Sequence, residues 1–262
     1  MPKTYRALNQ QQLDILLALY KFRFLTRDLI SSYQKSSVAY SHYRLTNLLE
    51  QKYIGRHYEG KDRLHGKQAV YYLANSGIRF LKQNKELDLN NTALNLMYKD
   101  KEAREPFREL CLNTARIFLK LSELYGKQQT FYSKTELMEY DFFPTQLPDG
   151  YLLLADKPYF MVQMSSTTTY SGLRGRIGQL VKHFDSGDWD ASGLDYPTIV
   201  LISDSPYLER QLQGLIKGQL RKHGLDEDDM RFLTTTLKAL FGAQSRRAAV
   251  YTTVDNKLVP LT

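Results

Sequence analysis

The sequence is poor in cysteine and has no long apolar run. Cys111 is the single cysteine of the 262 residues, so no disulfide can form within the chain, and we expect a reducing, cytoplasmic location. No window reaches the roughly 20 consecutive apolar residues that a membrane-spanning helix needs. The first residues, MPKTYRALNQQQ, lack the apolar stretch of a secretory leader. We therefore expect a cytoplasmic protein without a membrane partner.

The chain also lacks the common motifs of cofactor and metal chemistry. Its five histidines are scattered, and with one cysteine they give no zinc-binding spacing. The sequence contains neither a phosphate-binding loop, nor a dinucleotide-binding glycine pattern, nor the nucleophile motif of α/β-hydrolases. We therefore expect no cofactor and no metal ion.

Positive charge is concentrated in the first third of the chain. Residues 1–90 contain 15 Lys or Arg against 7 Asp or Glu, whereas the remaining residues contain 21 of each kind. A surface that serves solubility alone would not need this asymmetry, but a module that binds a polyanion would. The charge distribution therefore indicates nucleic acid as a partner of the N-terminal part.

Capping residues and apolar periodicity divide the first 85 residues into short elements. Polar N-cap residues precede three predicted helices: Asn9, Thr26 and Ser36 or Ser37. Two β-rich runs, Ile54–Tyr58 and Ala69–Leu73, then predict a hairpin, and a fourth helix begins at Asn75 or Ser76. This order is typical of a winged helix-turn-helix domain, which we predict for residues 1–85.

The third predicted helix is the candidate recognition helix. Its predicted core residues are Val38, Leu45, Leu48 and Leu49. The predicted DNA-contacting residues of the opposite face are Tyr40, Tyr43, Arg44 and Asn47. Arginine can bond guanine, asparagine can bond adenine, and tyrosine can contact phosphates or thymine methyl groups. The residues expected to meet phosphate at the start of the helix are Lys35, Ser36 and Ser37.

The hairpin loop, EGKDRLHGKQ, is predicted to act as a wing. Its candidate DNA-contacting residues are Lys61, Arg63, His65 and Lys67. Such a wing tracks a phosphate backbone or enters the minor groove, and double-stranded DNA is therefore the predicted partner. A role of this domain in protein interaction or dimerisation is the alternative. RNA is disfavoured, because no aromatic stacking platform of the RNA-recognition kind is visible.

A polar run, QNKELDLNN, follows the predicted winged helix and is interpreted as the beginning of a linker over residues 86–100. Predicted helices and strands alternate after it. This alternation predicts an α/β domain over residues 101–262 with a central mixed sheet. The predicted fold class is therefore a two-domain protein that combines α+β and α/β parts.

The segment LPDGYLLLADKPYFMVQMSSTTTY resembles the strands of the restriction-endonuclease-like PD-(D/E)xK nuclease fold. In that fold an Asp and a second acid bind Mg²⁺, and a Lys orients the attacking water. Asp149 matches the first acid, but Gln163 stands at the second acid and Ser165 at the lysine. Glutamine brings no negative charge for a hard cation, and serine brings no positive charge. We predict a catalytically silent domain, unless Arg174 or Arg176 replaces the lysine.

The two halves together resemble the replication-relaxation proteins of plasmids and integrative elements. The N-terminal resemblance is carried by LNQQQLDILLALYKFRFLTRDLI, YRLTNLLEQKYIGRHY and YYLANSGIRFL, and the C-terminal one by LPDGYLLL, YFMVQMSSTTT and PTIVLIS. The resemblance implies a winged helix followed by a nuclease-like domain, with a role in replication, mobilisation or transfer of mobile DNA. Where relaxases of this family carry Glu-x-Asp, this chain has Gln163-Met164-Ser165, so nicking is not implied.

The sequence thus predicts a DNA-binding accessory protein of a mobile element, acting in a relaxosome or in replication. Its expected partners are duplex DNA, a relaxase or another transfer or replication protein, and a second copy of the chain. Two alternatives stay open. One is a metal-dependent nicking nuclease or relaxase that uses Asp149, and the other is a winged-helix transcriptional regulator.

Overall fold

The protein forms two compact units, an N-terminal unit that ends at Leu119 and a C-terminal unit that begins at Lys120. The computed structural model describes residues 8–261. By sequence, the N-terminal unit contains 20 Lys or Arg against 11 Asp or Glu, and the C-terminal unit contains 16 against 17. The excess of positive charge therefore belongs to the N-terminal unit.

The N-terminal unit combines helices with a small antiparallel sheet. Its elements are α1 (Gln10–Phe22), β1 (Leu25–Thr26), α2 (Arg27–Tyr33), α3 (Val38–Glu50), β2 (Ile54–His57), α4 (Gly60–Leu64), β3 (Val70–Leu73), α5 (Asn75–Gln83), α6 (Asn91–Met97) and the first part of α7 (Glu105–Tyr125). The sheet has the order β1-β3-β2, and both pairings are antiparallel. The predicted order of three helices, a hairpin and a helix is thus present.

Local capping chemistry sets where the first three helices begin. Asn9 and Gln12 form a reciprocal capping box at the start of α1. The side chain of Thr26 accepts a hydrogen bond from the Leu29 amide in α2, and that of Ser37 accepts one from the Tyr40 amide in α3. The predicted N-caps Asn9 and Thr26 are confirmed, and Ser37 is the N-cap of α3.

The predicted linker differs from the structure. Within residues 86–100 the chain forms α6, whose Ala93, Leu94 and Met97 are buried. The apolar residues that follow the polar run lie on one face of α6 and are buried. The polar run is therefore a connection inside a packed unit and not a linker between units. The division between the units comes later, within α7, and not at residues 86–100.

The C-terminal unit is built on a seven-stranded mixed sheet. After α7 its elements are β4 (Gln129–Ser133), α8 (Lys134–Leu137), β5 (Gly150–Leu154), β6 (Lys157–Met164), α9 (Tyr170–Ser186), β7 (Thr198–Ser203), α10 (Pro206–His223), β8 (Phe232–Thr236), α11 (Leu237–Gly242), β9 (Val250–Thr253) and β10 (Leu258–Pro260). The strand order is β10-β9-β8-β7-β6-β5-β4, with β6, β7 and β8 parallel and the other pairs antiparallel. The predicted mixed sheet is confirmed.

An aromatic cluster forms part of the core of this unit. Trp189 is 2% exposed, and its indole N–H donates to the backbone oxygen of Asp195 at 2.9 Å. The rings packed around it are Phe142, Phe143, Tyr151, Phe160 and Tyr196. The loop after α9 is thereby fixed onto the sheet.

Among residues 8–261, none of the helices is both long enough and apolar enough to cross a bilayer.

Candidate nucleic-acid interface

The turn between α2 and α3 presents the first of the predicted contact residues. Lys35 has a φ of 50°, and this left-handed residue reverses the chain after α2. Its side chain is exposed, as is that of Ser37, whereas Ser36 is half-buried and its hydroxyl lies 2.9 Å from that of Ser41. Lys35 and Ser37 are therefore accessible to a phosphate group beside the start of α3.

The outward face of α3 carries mostly uncharged side chains. Tyr40 is 53% exposed and Tyr43 is 63% exposed, as expected for this face, and Asn47 is half-buried. Val38 is 42% exposed, although the sequence pattern places it in the core. It is the first residue of the helix, where fewer neighbours pack against a side chain than in the middle. The exposed side chains of the first turns are thus Val38, Ala39, Tyr40, His42 and Tyr43.

Arg44 differs most from its predicted placement, because its side chain is 6% exposed. Its guanidinium donates to Gln34 Oε1 at 2.9 Å and to Gln11 Oε1 at 2.6 Å. The guanidinium carbon also lies 4.1 Å from the centroid of the Tyr40 ring. These contacts tie α3 to α1 and to the end of α2. Arg44 therefore does not face the predicted DNA side of α3. It fixes α3 against its neighbours and packs against the ring of Tyr40.

The hairpin of β2 and β3 forms as predicted, but its connection contains the short helix α4. His65 is exposed. Lys67 is also exposed and forms an ion pair with Glu105 at 2.9 Å. The side chains of Lys61 and Arg63 lie outside the described part of the structure. Of the four predicted wing residues, His65 and Lys67 can therefore be placed.

The structure adds cationic side chains that the sequence patterns do not select. Arg56 on β2 is exposed, and its guanidinium carbon lies 6.0 Å from the centroid of the Tyr58 ring. Lys52, just after α3, is exposed as well. Strand alternation could not have found Arg56, because residues two positions apart share a face of the sheet and Ile54 is buried.

The nuclease-like positions of the C-terminal unit are only partly brought together. A carboxylate oxygen of Asp149, just before β5, accepts the backbone N–H of Gln163 on β6 at 2.7 Å. Ser165, just after β6, instead donates its hydroxyl to Asp204 at 3.2 Å. The glycine of the Pro-Asp-Gly segment has a packing role, because a Cβ on Gly150 would lie 2.2 Å from the Phe131 ring. The structure thus joins Asp149 to Gln163 and places Ser165 beside another acid.

Asp149 is a buried carboxyl group. Asp149 is 8% exposed. Burial raises the pKa of the Asp149 carboxyl, whereas the hydrogen bond from the Gln163 amide and the charges of Arg176 and Lys134 oppose that rise. Arg176 donates to the backbone oxygens of Leu147, at 2.7 Å, and Gln146. Its guanidinium is therefore held by the loop before β5.

The residues at this position do not fit a Mg²⁺ ion. Hard divalent cations need several oxygen ligands with net negative charge, and here Asp149 supplies one buried carboxylate beside the uncharged Gln163. Within residues 8–261, no three His, Cys, Asp or Glu side chains are grouped as metal ligands. Arg174, the other candidate for the missing lysine, is exposed on α9. This arrangement therefore supports no metal-dependent step.

The buried carboxyl gives a pH-dependent prediction for Asp149→Asn. Because the pKa of Asp149 is raised in the folded state, its contribution to stability is complete below the ordinary carboxyl pKa and is lost as pH rises through the raised value. Asp149→Asn should therefore be more stable than the parent at about pH 8, with a difference that shrinks towards about pH 4. Urea unfolding followed by Trp189 fluorescence measures this.

A second variant controls for the hydrogen bond that Asp149 makes. Asp149→Ala removes the acceptor of the Gln163 amide, and it should destabilise the protein at both pH values. Destabilisation by Asp149→Asn at about pH 8 would show that the negative charge itself is needed in the fold.

Comparison with known proteins gives little similarity. No protein family matches the chain, and no curated protein matches it. A solved structure similar to this chain is that of TrmBL2, an archaeal chromatin protein that shows a novel mode of DNA binding. The identity is 12%, over 87% of this chain and 73% of the chromatin protein, with a TM-score of 0.23. A likeness of this size does not establish a shared fold.

Proposed function

We propose that the protein binds double-stranded DNA through α3 and the β2–β3 hairpin of its N-terminal unit, in the manner of a winged helix. The observation that carries this proposal is the order and exposure of these elements. The helix α3 follows α2 after a short turn, exposes one face and leads directly into an antiparallel hairpin. A helix in that place enters the major groove, and the hairpin contacts the neighbouring backbone.

The charge of the N-terminal unit supports a polyanionic partner. This unit has 20 basic against 11 acidic residues by sequence. The exposed cations around α3 stand at its edges, with Lys35 before the helix, Lys52 after it and Arg56 on the hairpin. Such a distribution suits phosphates on either side of a groove, because phosphate contacts position a protein while side chains between them meet the bases.

In this proposal the C-terminal unit accompanies the DNA-binding unit and has no nuclease activity of its own. Support comes from the donor chemistry, since Gln163 and Ser165 replace the charged residues of the nuclease pattern and Asp149 is buried. Incubation of supercoiled plasmid with the protein and Mg²⁺ or Mn²⁺ tests this directly. Metal-dependent nicking that disappears in Asp149→Asn would favour the nuclease alternative.

The resemblance to the replication-relaxation proteins adds a proposal about the biological role. On that basis the bound duplex belongs to a mobile element, and the C-terminal unit serves partner docking or self-association. Selection of genomic fragments by the full chain tests this. Fragments from an origin of transfer or of replication would support the accessory role, whereas promoter fragments would favour a transcriptional regulator.

Salt dependence gives the sharpest test of the DNA-binding proposal. The affinity of the full chain for duplex DNA should fall steeply as salt rises from about 50 to about 200 mM, because each neutralised phosphate releases a counterion. Lys35→Ala should weaken binding on all sequences and reduce the slope of log K against log salt by about one. Fluorescence anisotropy of a labelled duplex measures both quantities.

A matched control comes from the C-terminal unit. Lys217 is an exposed lysine of α10, and Lys217→Ala should leave both affinity and salt slope unchanged. If no duplex is bound in a salt-dependent manner, or if both lysine variants have the same effect, the proposed interface is wrong.

A further inference from the structure

The first half of α3 presents apolar surface at the place where a groove-reading helix meets base edges. Val38, Tyr40 and Tyr43 are 42%, 53% and 63% exposed, and Ala39 between them is exposed as well. In helix-turn-helix proteins the N-terminal residues of the second helix of the motif contact the bases. The exposed side chains there are Val38, Ala39, Tyr40, Tyr43 and the imidazole of His42, so hydrocarbon and aromatic groups form most of the surface available to the bases.

The one arginine of α3 that could bond guanine, Arg44, is buried and does not reach this surface. Arg44 is the one Lys or Arg within Val38–Glu50, and its guanidinium is held by the amide oxygens of Gln34 and Gln11. The commonest specific contact to guanine is a bidentate bond from arginine or lysine. The other fully charged side chain of the helix, Glu50, is its last residue. The hydroxyl of Thr46 donates to the backbone oxygen of His42 at 3.0 Å.

We infer that α3 selects A·T-rich duplex DNA by packing its apolar side chains against thymine methyl groups in the major groove. Thymine is the base that presents a methyl group there, and apolar side chains are the groups that recognise it. Asn47, half-buried one turn after Tyr43, suits the adenine of such a pair. This inference rests on the proposed function and names the class of sequence that the same interface selects.

The test compares thymine with uracil in one duplex. The full chain first enriches its preferred sequence from a random duplex pool, and that sequence is then synthesised with every thymine replaced by uracil. The replacement removes methyl groups but leaves phosphates and hydrogen-bonding edges in place. Affinity should fall about fourfold for each methyl group that α3 buries, while the salt slope stays the same because the phosphate contacts are unchanged.

A pair of tyrosine variants shows whether α3 is responsible. Tyr43→Ser should weaken binding to the thymine duplex and reduce the ratio of thymine to uracil affinity. Tyr43 is 63% exposed, so this change leaves the core intact. Tyr207 on α10 is 66% exposed, and Tyr207→Ser should leave the ratio unchanged.

Three results would overturn the inference in distinguishable ways. Equal affinity for the thymine and uracil duplexes, with normal salt dependence, would refute methyl recognition and leave the proposed function standing. Enrichment of G·C-rich sequences would do the same. Failure of the full chain to bind any duplex would refute both the inference and the proposed function.

Discussion

Replacing Arg23 by methionine is expected to destabilise the protein by about 3–5 kcal/mol, because it leaves the charge of Asp100 buried without a partner. Asp100 is 1% exposed, and its carboxylate receives both the Nε donor of Arg23, at 3.3 Å, and an Nη donor. The Arg23 guanidinium also lies 4.7 Å from the Phe107 ring centroid. Urea unfolding followed by far-ultraviolet circular dichroism measures the loss.

The pair also bears on the proposed interface, because Asp100 contacts the hairpin. A ring nitrogen of His57, the last residue of β2, lies 2.9 Å from the backbone oxygen of Asp100. Arg23, at the end of α1, is thus connected through Asp100 to the strand that leads into the wing. Disruption of the pair should therefore weaken duplex binding as well as stability.

The double variant Arg23→Met with Asp100→Leu provides the control. Replacement of both partners by apolar groups should recover most of the stability, because no unpaired charge then remains buried. The defect of Arg23→Met should also be smaller at about pH 5 than at about pH 8: burial already raises the pKa of Asp100, and its protonated form needs no cation. A pH-independent loss that the double variant does not recover would show that Arg23 acts through packing instead.

Local elements could be predicted from the sequence because local chemistry specifies them. Asn9 and Thr26 cap the helices that they precede, and two β-rich runs on either side of a polar connection pair as a hairpin. The predicted linker was wrong for the opposite reason. The burial of Leu94 and Met97 in α6 depends on packing within the unit and not on the composition of the run before them.

The candidate interface shows the same limit. The exposure of Tyr40 and Tyr43 follows from helix periodicity. The burial of Arg44 does not, because its partner Gln11 is 33 residues away on another helix. Arg23 and Asp100 are 77 residues apart, and neither lies in a pattern that a linear reading selects. Long-range polar pairs of this kind follow from the folded arrangement alone.

In the C-terminal unit, Phe160 should be a sensitive position of the aromatic cluster. Its side chain is fully buried, and its ring centroid lies 5.3 Å from that of Trp189 and 5.7 Å from that of Phe143. Removal of a buried phenyl ring costs its transfer free energy and also leaves a cavity, which together amount to about 3–5 kcal/mol. Since Phe160 lies on β6 between two other strands, little of that cavity can be filled by a shift of the backbone.

The single tryptophan makes this prediction specific to one unit. Trp189 fluorescence reports on the aromatic cluster. In Phe160→Ala the free energy of unfolding measured by this signal in urea should fall by about 3–5 kcal/mol, which lowers the unfolding midpoint. Tyr207→Ala truncates a side chain that is 66% exposed, and it should change stability by no more than about 0.5 kcal/mol. All the candidate DNA-contacting residues lie in the other unit, so Phe160→Ala should still bind duplex DNA without denaturant. Loss of binding in a Phe160→Ala protein that remains folded would place part of the interface in the C-terminal unit.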